Sequence, residues 1–351
     1  MVFDIYEFFS KLNEKKVNIR LDAGDPDIQP NKEILDELTK NINKLNYAPY
    51  RGLDELREKI ADYHKVDKNE VIITPGSKAA ISSLIFHSKN LGLISPFWSG
   101  YEIAARLYNK KISIVNTKIE NFWEPDFSKV SDIDTLIINY PNNPTGKMLS
   151  LNKIKELIDI SNNKKITLIS DEAYRDIVFN GFKFKLTDYK IENSVSIFSF
   201  SKTFSLPGLR LGYAVGDKML INKIGEFIKA NYTSVPIFAQ KAGIKALDMW
   251  DKIGENTKDI YKKRVDLFIS SIKKDHFDFT YPDGTFYVFL KIKRNISGTD
   301  ISYKLIDKNI GVFPGEAFGY NYKNYIRISL TTREDNIIKA AYVINEVIEN
   351  Y

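Results

Sequence analysis

The sequence predicts an α/β fold: a large mixed, mostly parallel seven-stranded sheet with helices between its strands, then a smaller α+β unit. Three observations point there. Seven short apolar runs between residues 71 and 215 alternate with stretches of helical period. Five of those runs stop on polar, glycine or proline residues. From about residue 240 onward the alternation gives way to long helical patterns and two isolated apolar strands. Alternating strand and helix patterns favour a parallel sheet covered by helices.

The strand candidates are, in order, VIIT (71–74), LGLIS (91–95), KISIV (111–115), DTLIIN (134–139), KITLIS (165–170), VSIFSF (195–200) and RLGYAV (210–215). SKAAISSLIFHS follows the first and SLNKIKELIDIS the fourth, and both read as helices. TFYVFLKI (285–292) and YIRISL (325–330) are the strands of the last part, which ends in a further helix. The expected division is an N-terminal segment (1–45) packing with the small unit, a large domain (46–240) and a small C-terminal domain (241–351). A chain of 351 residues is long for one core, in keeping with two domains.

Composition narrows the function classes. Hydrophobic residues make up 43% and charged residues 27%, which suits a large buried core under a charged surface. The net charge of +6 comes from scattered lysines without a long basic run, so no nucleic-acid partner is expected. With no cysteine, disulfides, thiolate metal sites and thiol nucleophiles are excluded. The three histidines (His64, His87 and His276) have no metal-ligand spacing, and no metal is expected. The opening MVFDIYEFFSKLNEKK lacks the layout of a signal peptide, and no apolar stretch is long enough to span a membrane. A soluble cytoplasmic protein is expected.

The strand ends hold the informative residues, because ligands of open α/β sheets bind beyond the carboxyl ends of the strands. VIIT runs into Pro75, Gly76, Ser77 and Lys78; LGLIS into Pro96, Phe97 and Trp98. DTLIIN runs into YPNNPTG, which contains Asn143; KITLIS into Asp171, Glu172, Ala173 and Tyr174; VSIFSF into Ser201 and Lys202. Gly76 and Ser77 at a helix start can hold a phosphate on free backbone N–H groups, or Ser77 is a plain helix cap. Lys202 is either a paired or snorkelling lysine or, desolvated, an imine-forming amine. Arg210 can clamp a phosphate bidentately, and Ser199 can add a hydroxyl. Asp171 after an apolar run needs a cationic partner, which an arginine or a protonated pyridine nitrogen can supply.

Taken together, these residues resemble the fold-type-I pyridoxal-phosphate enzymes, specifically the class I/II aminotransferases. NYPNNPTG, SDEAY and SFSKTFSLPGLRLGY carry the resemblance most specifically. LDAGDP (21–26), YAPYRGLDELR (47–57), SPFWSGY (95–101), PDGTFYVF (282–289) and PGEAFG (314–319) extend it over nearly the whole chain. The resemblance implies pyridoxal 5'-phosphate as cofactor. Lys202 would be its Schiff-base lysine and proton carrier, and Asp171 the counter-ion of its ring nitrogen. It places Asn143 and Tyr174 at the ring's phenolic oxygen and Trp98 on the ring face. Gly76, Ser77, Lys78, Ser199 and Arg210 fall around the phosphate. Tyr47 would reach a phosphate in a partner subunit, implying a homodimer with shared active sites. Arg327 would bind the substrate α-carboxylate, assisted by Gly24 and Asn143.

The same resemblance favours aspartate as amino donor and 2-oxoglutarate as acceptor, since prokaryotic aspartate aminotransferases similar to this chain carry lysine where Lys78 stands. Lys78 serving only phosphate or solvent is the plain alternative. PGEAFG is similar to the aspartate and aromatic subgroup. PNNPTG and SLPGLRLGY also suit histidinol-phosphate aminotransferases, from which YIRISL differs in detail. Trp98, Tyr50 and Tyr287 are candidates for an aromatic pocket, and a lyase or decarboxylase of the same fold remains the alternative reaction class.

Overall fold

The computed structural model describes residues 4–180, 182–189 and 191–351; the first three residues of the expected N-terminal segment lie outside the described residues. The seven apolar runs form one sheet. In chain order its strands are β2 (Val71–Pro75), β3 (Asn90–Ser95), β4 (Lys111–Asn116), β5 (Thr135–Asn139), β6 (Thr167–Asp171), β7 (Ser194–Ser199) and β8 (Leu211–Gly216), after a short β1 (Ile19–Leu21) that belongs elsewhere. Their spatial order is β2-β8-β7-β6-β5-β3-β4. Neighbours pair in parallel except around β8, which is antiparallel to both β2 and β7. The carboxyl ends of β2, β3, β5, β6 and β7 therefore share one edge. The reversed strand β8 starts at that same edge, which brings Arg210, the residue before it, to join them.

Apart from the partly exposed edge strand β4, these strands are apolar without alternation because helices cover both faces. On one face Ile72, Ile137, Ile169 and Ile197 pack with Ile81, Ile85, Ile224 and Ile228 of the helices Ser77–His87 and Lys218–Asn231. On the other, Ile73, Phe198 and Val215 pack with Ile60 of Asp54–His64 and Ala239, Ala242 and Ala246 of Ile237–Asp248. Leu136, Ile138 and Leu168 pack there with Ile154 and Leu157 of Leu151–Lys164. That last helix starts on the Ser150 hydroxyl, which accepts from Lys153 N–H at 3.3 Å, and ends on Lys165 in the left-handed region.

A second sheet runs β1-β11-β12-β10-β9, with β9 (Phe277–Asp278), β10 (Tyr287–Ile292), β11 (Ile310–Pro314) and β12 (Tyr325–Ser329). Strand β1 joins it in parallel to β11, Ile19 opposite Ile310. Val288, Leu290, Ile326 and Ile328 bury one face against the helices Gly298–Asp307 and Glu334–Glu349. The helix Trp250–Ser271 serves both cores: Trp250 packs with Phe198 and Phe204, while Val265, Phe268 and Ile269 pack on the second sheet. Among the described residues no helix is long and apolar enough to cross a membrane, and no group of three or more His, Cys, Asp or Glu side chains is placed to hold a metal ion.

Candidate active site

Asp171 ends β6 with its carboxylate in the interior, 6% exposed. Its Oδ2 accepts from the Tyr101 phenol at 2.6 Å and its Oδ1 from Ala173 N–H at 3.2 Å. Burial pushes the Asp171 carboxyl up from the usual carboxylate range, against the lowering effects of the Tyr101 bond, the Ala173 N–H and the charge of Lys202. No lysine, arginine or histidine among the described residues lies within ion-pairing distance of it. Asn139 is the register partner of Asp171 on β5. Its amide donates to Asp171 O at 2.8 Å, and its side-chain oxygen accepts Asn143 N–H at 2.9 Å. The Asn143 loop is thereby docked onto the strand that carries Asp171.

Strand β7 ends on Ser199, whose hydroxyl accepts Ser201 N–H at 3.1 Å and caps the short helix Phe200–Thr203. Lys202 lies in that helix and donates from Nζ to Gly24 O at 2.5 Å. Its amine is lowered from 10.5 to about 8, chiefly by burial; Arg327 and Arg210 act in the same direction, while Asp25 and Asp171 oppose them. Arg210 has φ +49° and donates from Nη1 to Pro207 O at 2.9 Å. Its guanidinium lies against Gly76, where an added Cβ would stand 2.6 Å from Nη2. Gly76 itself has φ +72° and ψ 166° and leads into the helix Ser77–His87. Free N–H groups at that helix start, Ser199 and Arg210 together form a cradle for an anion.

Arg327 lies on β12 opposite Phe289 of β10 and Phe313 of β11. It is 5% exposed, and its guanidinium sits 4.3 Å from the centroid of the Tyr287 ring. Nη1 donates to Asn143 Oδ1 at 3.1 Å, Nη2 donates to Asp22 O, and Nε is buried with no partner. No carboxylate among the described residues pairs with it. Tyr174 and Tyr287 share a hydroxyl–hydroxyl bond of 3.1 Å. Lys78 Nζ stands 5.6 Å from the centroid of the Trp98 ring.

One cavity of about 470 Å³ is lined by Gly24, Ser77, Lys78, Trp98, Asn143, Asp171, Tyr174, Ser199, Lys202, Arg210 and Arg327. Gly76 flanks it through Arg210. Tyr47 does not line it and is 84% exposed. Over residues 16–344 the chain matches the family described as aminotransferase class I and II. It belongs to that family.

The aminotransferase is 37% identical to an aspartate aminotransferase of Thermococcus kodakarensis over 99% of this chain and 93% of that protein. It is 31% identical to a probable aspartate aminotransferase of Methanocaldococcus jannaschii over 94% of this chain and 93% of that protein. Among solved structures it is similar to a single mutant of Thermus thermophilus aspartate aminotransferase, with a TM-score of 0.92, 25% identity, and 97% of this chain and 96% of that chain covered. The chain is thus an amino-group-transferring enzyme with pyridoxal phosphate as its cofactor.

The cavity suits that group chemically. A buried carboxylate without a cation fits a protonated ring nitrogen, the cradle at Gly76 and Ser77 fits a phosphate, and an amine at about 8 fits covalent attachment at neutral pH. A buried guanidinium without an anion fits a carboxylate.

Sequence reasoning passed over several residues that line this cavity. Tyr101 stands three residues after Trp98 in SPFWSGY, on the same face of the helix Ser99–Leu107, and that spacing was the available signal. Asn139 closes its strand run and opens NYPNNPTG, one position earlier relative to its run than Asp171. Ile5, Tyr6 and Phe9 of the helix Ile5–Glu14, and Phe313 and Phe318, also line it. Phe318 lies in PGEAFG, while nothing local marks the others, which arrive from distant segments.

Proposed function

We propose that this aminotransferase exchanges the amino group of aspartate with a 2-oxo acid such as 2-oxoglutarate, as a cytoplasmic homodimer with shared active sites. The observation that carries the aspartate reading is a pair of cations. Arg327 and Lys78 both face the cavity, and neither has a carboxylate partner among the described residues. Two such cations match the two carboxylates of a dicarboxylic amino acid. The names of the Thermococcus and Methanocaldococcus relatives support the same donor.

In this reading Lys202 is the attachment residue, and its amine moves a proton at the substrate α-carbon. When bound, pyridoxal phosphate supplies a conjugated ring that draws electrons from that carbon. Asp171 keeps the ring nitrogen protonated, with Tyr101 holding the carboxylate in its ionised form. Asn143 and Tyr174 would donate to the phenolic oxygen, and Trp98 would lie along the ring. Gly76, Ser77, Ser199 and Arg210 would hold the phosphate, which leaves the Lys78 ammonium for the distal carboxylate. Arg327, which lines the cavity without a carboxylate partner, would bind the α-carboxylate, while Asn143 accepts from its Nη1 and Gly24 borders the site. Cofactor binding thus belongs to the seven-stranded part, and the five-stranded part brings the carboxylate clamp. Tyr47 is assigned to the partner's phosphate. The exposure of Ile42, Leu45, Tyr47 and Tyr50 at 53, 77, 84 and 39% supports a covered face there.

Two measurements test the proposal. Borohydride reduction of the holoenzyme followed by peptide mapping places the reduced pyridoxyl group on Lys202. Aspartate alone then converts the cofactor band to its amine form, and 2-oxoglutarate restores it. A pyridoxyl group on another lysine overturns the site. Conversion by a different amino acid but not by aspartate overturns the substrate.

A further inference from the structure

Lys202 is also held from behind. The helix Phe200–Thr203 has four residues, too few to be stable by its own hydrogen bonds. The next side chain, Thr203, donates its hydroxyl to Asp176 Oδ2 at 3.0 Å. The same oxygen accepts Trp250 Nε1–H at 2.9 Å, and the Thr257 hydroxyl donates to Thr203 O at 2.9 Å. Trp250 and Thr257 both belong to the helix Trp250–Ser271. The other oxygen of Asp176 faces the Arg175 guanidinium, with Nε 3.7 Å from Oδ1. Asp176, Thr203, Trp250 and Thr257 are all buried, and none of them lines the cavity.

Asp176 therefore stands where three elements meet: the turn that follows Asp171 at the end of β6 and carries Tyr174, the short helix of Lys202, and the long helix shared by the two cores. A buried carboxylate is costly unless its oxygens are satisfied, and here two neutral donors from separate elements converge on one oxygen. That convergence fixes the distance between the Asp171 turn and the Lys202 backbone. Lysine has a flexible four-carbon stem, so its amine is only as well placed as its Cα.

We propose that Asp176 is a positioning residue for the reaction, setting Lys202 against the Asp171 side of the cavity through Thr203. The proposal rests on Lys202 being the attachment residue. It differs from a purely structural role because the loss of one hydrogen bond at Thr203 is expected to alter the chemistry of the amine, not only the stability of the fold.

The test uses holoenzyme of Asp176→Ala, Asp176→Asn, Thr203→Val and Thr203→Ser, after peptide mapping has located the reduced pyridoxyl group. Three quantities are read: the pH midpoint of the cofactor absorption band, kcat and KM separately, and Tm. Asp176→Ala and Thr203→Val are expected to move the midpoint by about half a unit or more. They should lower kcat about tenfold with KM within about twofold, as misplacement of a reacting group does. Asp176→Asn keeps an acceptor and Thr203→Ser keeps the donor, so both should return midpoint and kcat close to the unaltered enzyme. If Asp176→Ala does not fold, the Val and Ser pair at Thr203 decides the question. Unchanged midpoint and kcat in Thr203→Val overturn the proposal, as does a loss in kcat that Thr203→Ser fails to restore. A pyridoxyl group mapped away from Lys202 instead overturns the reading of the site on which the proposal rests.

Discussion

The Tyr101 phenol donates to Asp171 Oδ2 at 2.6 Å, with both groups buried and the carboxylate otherwise without a charged partner. Burial raises the Asp171 carboxyl, and this bond is the largest influence acting the other way. Tyr101→Phe removes the donor and keeps the ring that packs edge-on against Trp98. Asp171 then becomes a weaker counter-ion for a protonated ring nitrogen. The expected outcome is a cofactor dissociation constant raised about tenfold, since hydrogen bonds to charged groups contribute about 1.5–3 kcal/mol. Titration of apoenzyme with pyridoxal phosphate measures it, and an unchanged constant rules out this role for Tyr101.

Lys202 gives a pH prediction. Its amine is lowered from 10.5 to about 8, mainly by burial, so in the apoenzyme it becomes neutral once the pH passes about 8. Capture of pyridoxal phosphate needs the neutral amine. Its rate should climb with pH to a midpoint near 8 and then level, well below the pH at which an ordinary lysine responds. Asp25 opposes the shift, so Asp25→Asn should move the midpoint further down. Stability follows the same sign. Between about 8 and 10.5 the unfolded chain holds the proton that the folded chain has released, so the apoenzyme gains stability as pH rises through that window. A Lys202→Met apoenzyme should lack that gain.

What the sequence made legible follows from the kind of signal each feature leaves. The runs of the large sheet, all but the partly exposed edge strand β4 buried on both faces, read as short apolar segments, so they appear in the structure within a residue or two of their expected bounds. Strands β1, β9 and β11 were not anticipated. The first two have three and two residues and leave no period, and β11 is a run of five whose last residue, Pro314, opens PGEAFG. Lys202, Asp171 and Asn143 were visible because they interrupt apolar runs at strand ends. The long-range partners were not: Lys202 meets Gly24 across 178 residues, and Arg327 meets Asn143 across 184. The change of pattern near residue 240 falls inside the helix Ile237–Asp248, which packs on the large sheet, because a helix reads the same whichever core it serves.

Lys78 separates the substrate reading from its plain alternative. Its ammonium is exposed, stands over Trp98 and lacks a carboxylate partner among the described residues. If it meets the distal carboxylate of aspartate, Lys78→Ala should lower kcat/KM for aspartate about ten- to hundredfold, the range of a charge-assisted bond. For leucine or tyrosine as donor the loss should be small. A ratio of the two that does not move means Lys78 serves only phosphate or solvent.

Gly76 tests the phosphate cradle without touching charge. Its φ of +72° with ψ of 166° lies in a region open almost only to glycine, and a Cβ would stand 2.6 Å from Arg210 Nη2. Gly76→Ala should destabilise the fold by about 2 kcal/mol through backbone strain. It should also displace the Arg210 guanidinium, so phosphate-bearing cofactor is lost more readily, whereas binding of pyridoxal without phosphate changes little. Equal weakening of both ligands would place Gly76 outside the phosphate site.

Arg264 on the helix Trp250–Ser271 grips Asp27 bidentately at 2.6 and 2.9 Å and donates to Leu330 O at 3.3 Å. Asp27 lies three residues from Gly24, and Leu330 three residues from Arg327, so this one guanidinium ties together the two segments proposed to border the α-carboxylate. Lysine cannot copy a bidentate fork. Arg264→Lys should therefore lower stability by about 2 kcal/mol, below the value for breaking a fully buried pair because Asp27 keeps a quarter of its side chain in solvent. If the tie orients Gly24 and Arg327, KM for the amino donor should rise several-fold while the affinity of the apoenzyme for pyridoxal phosphate stays the same. Equal losses in both would mean that Arg264 supports the fold as a whole and not the carboxylate side of the cavity.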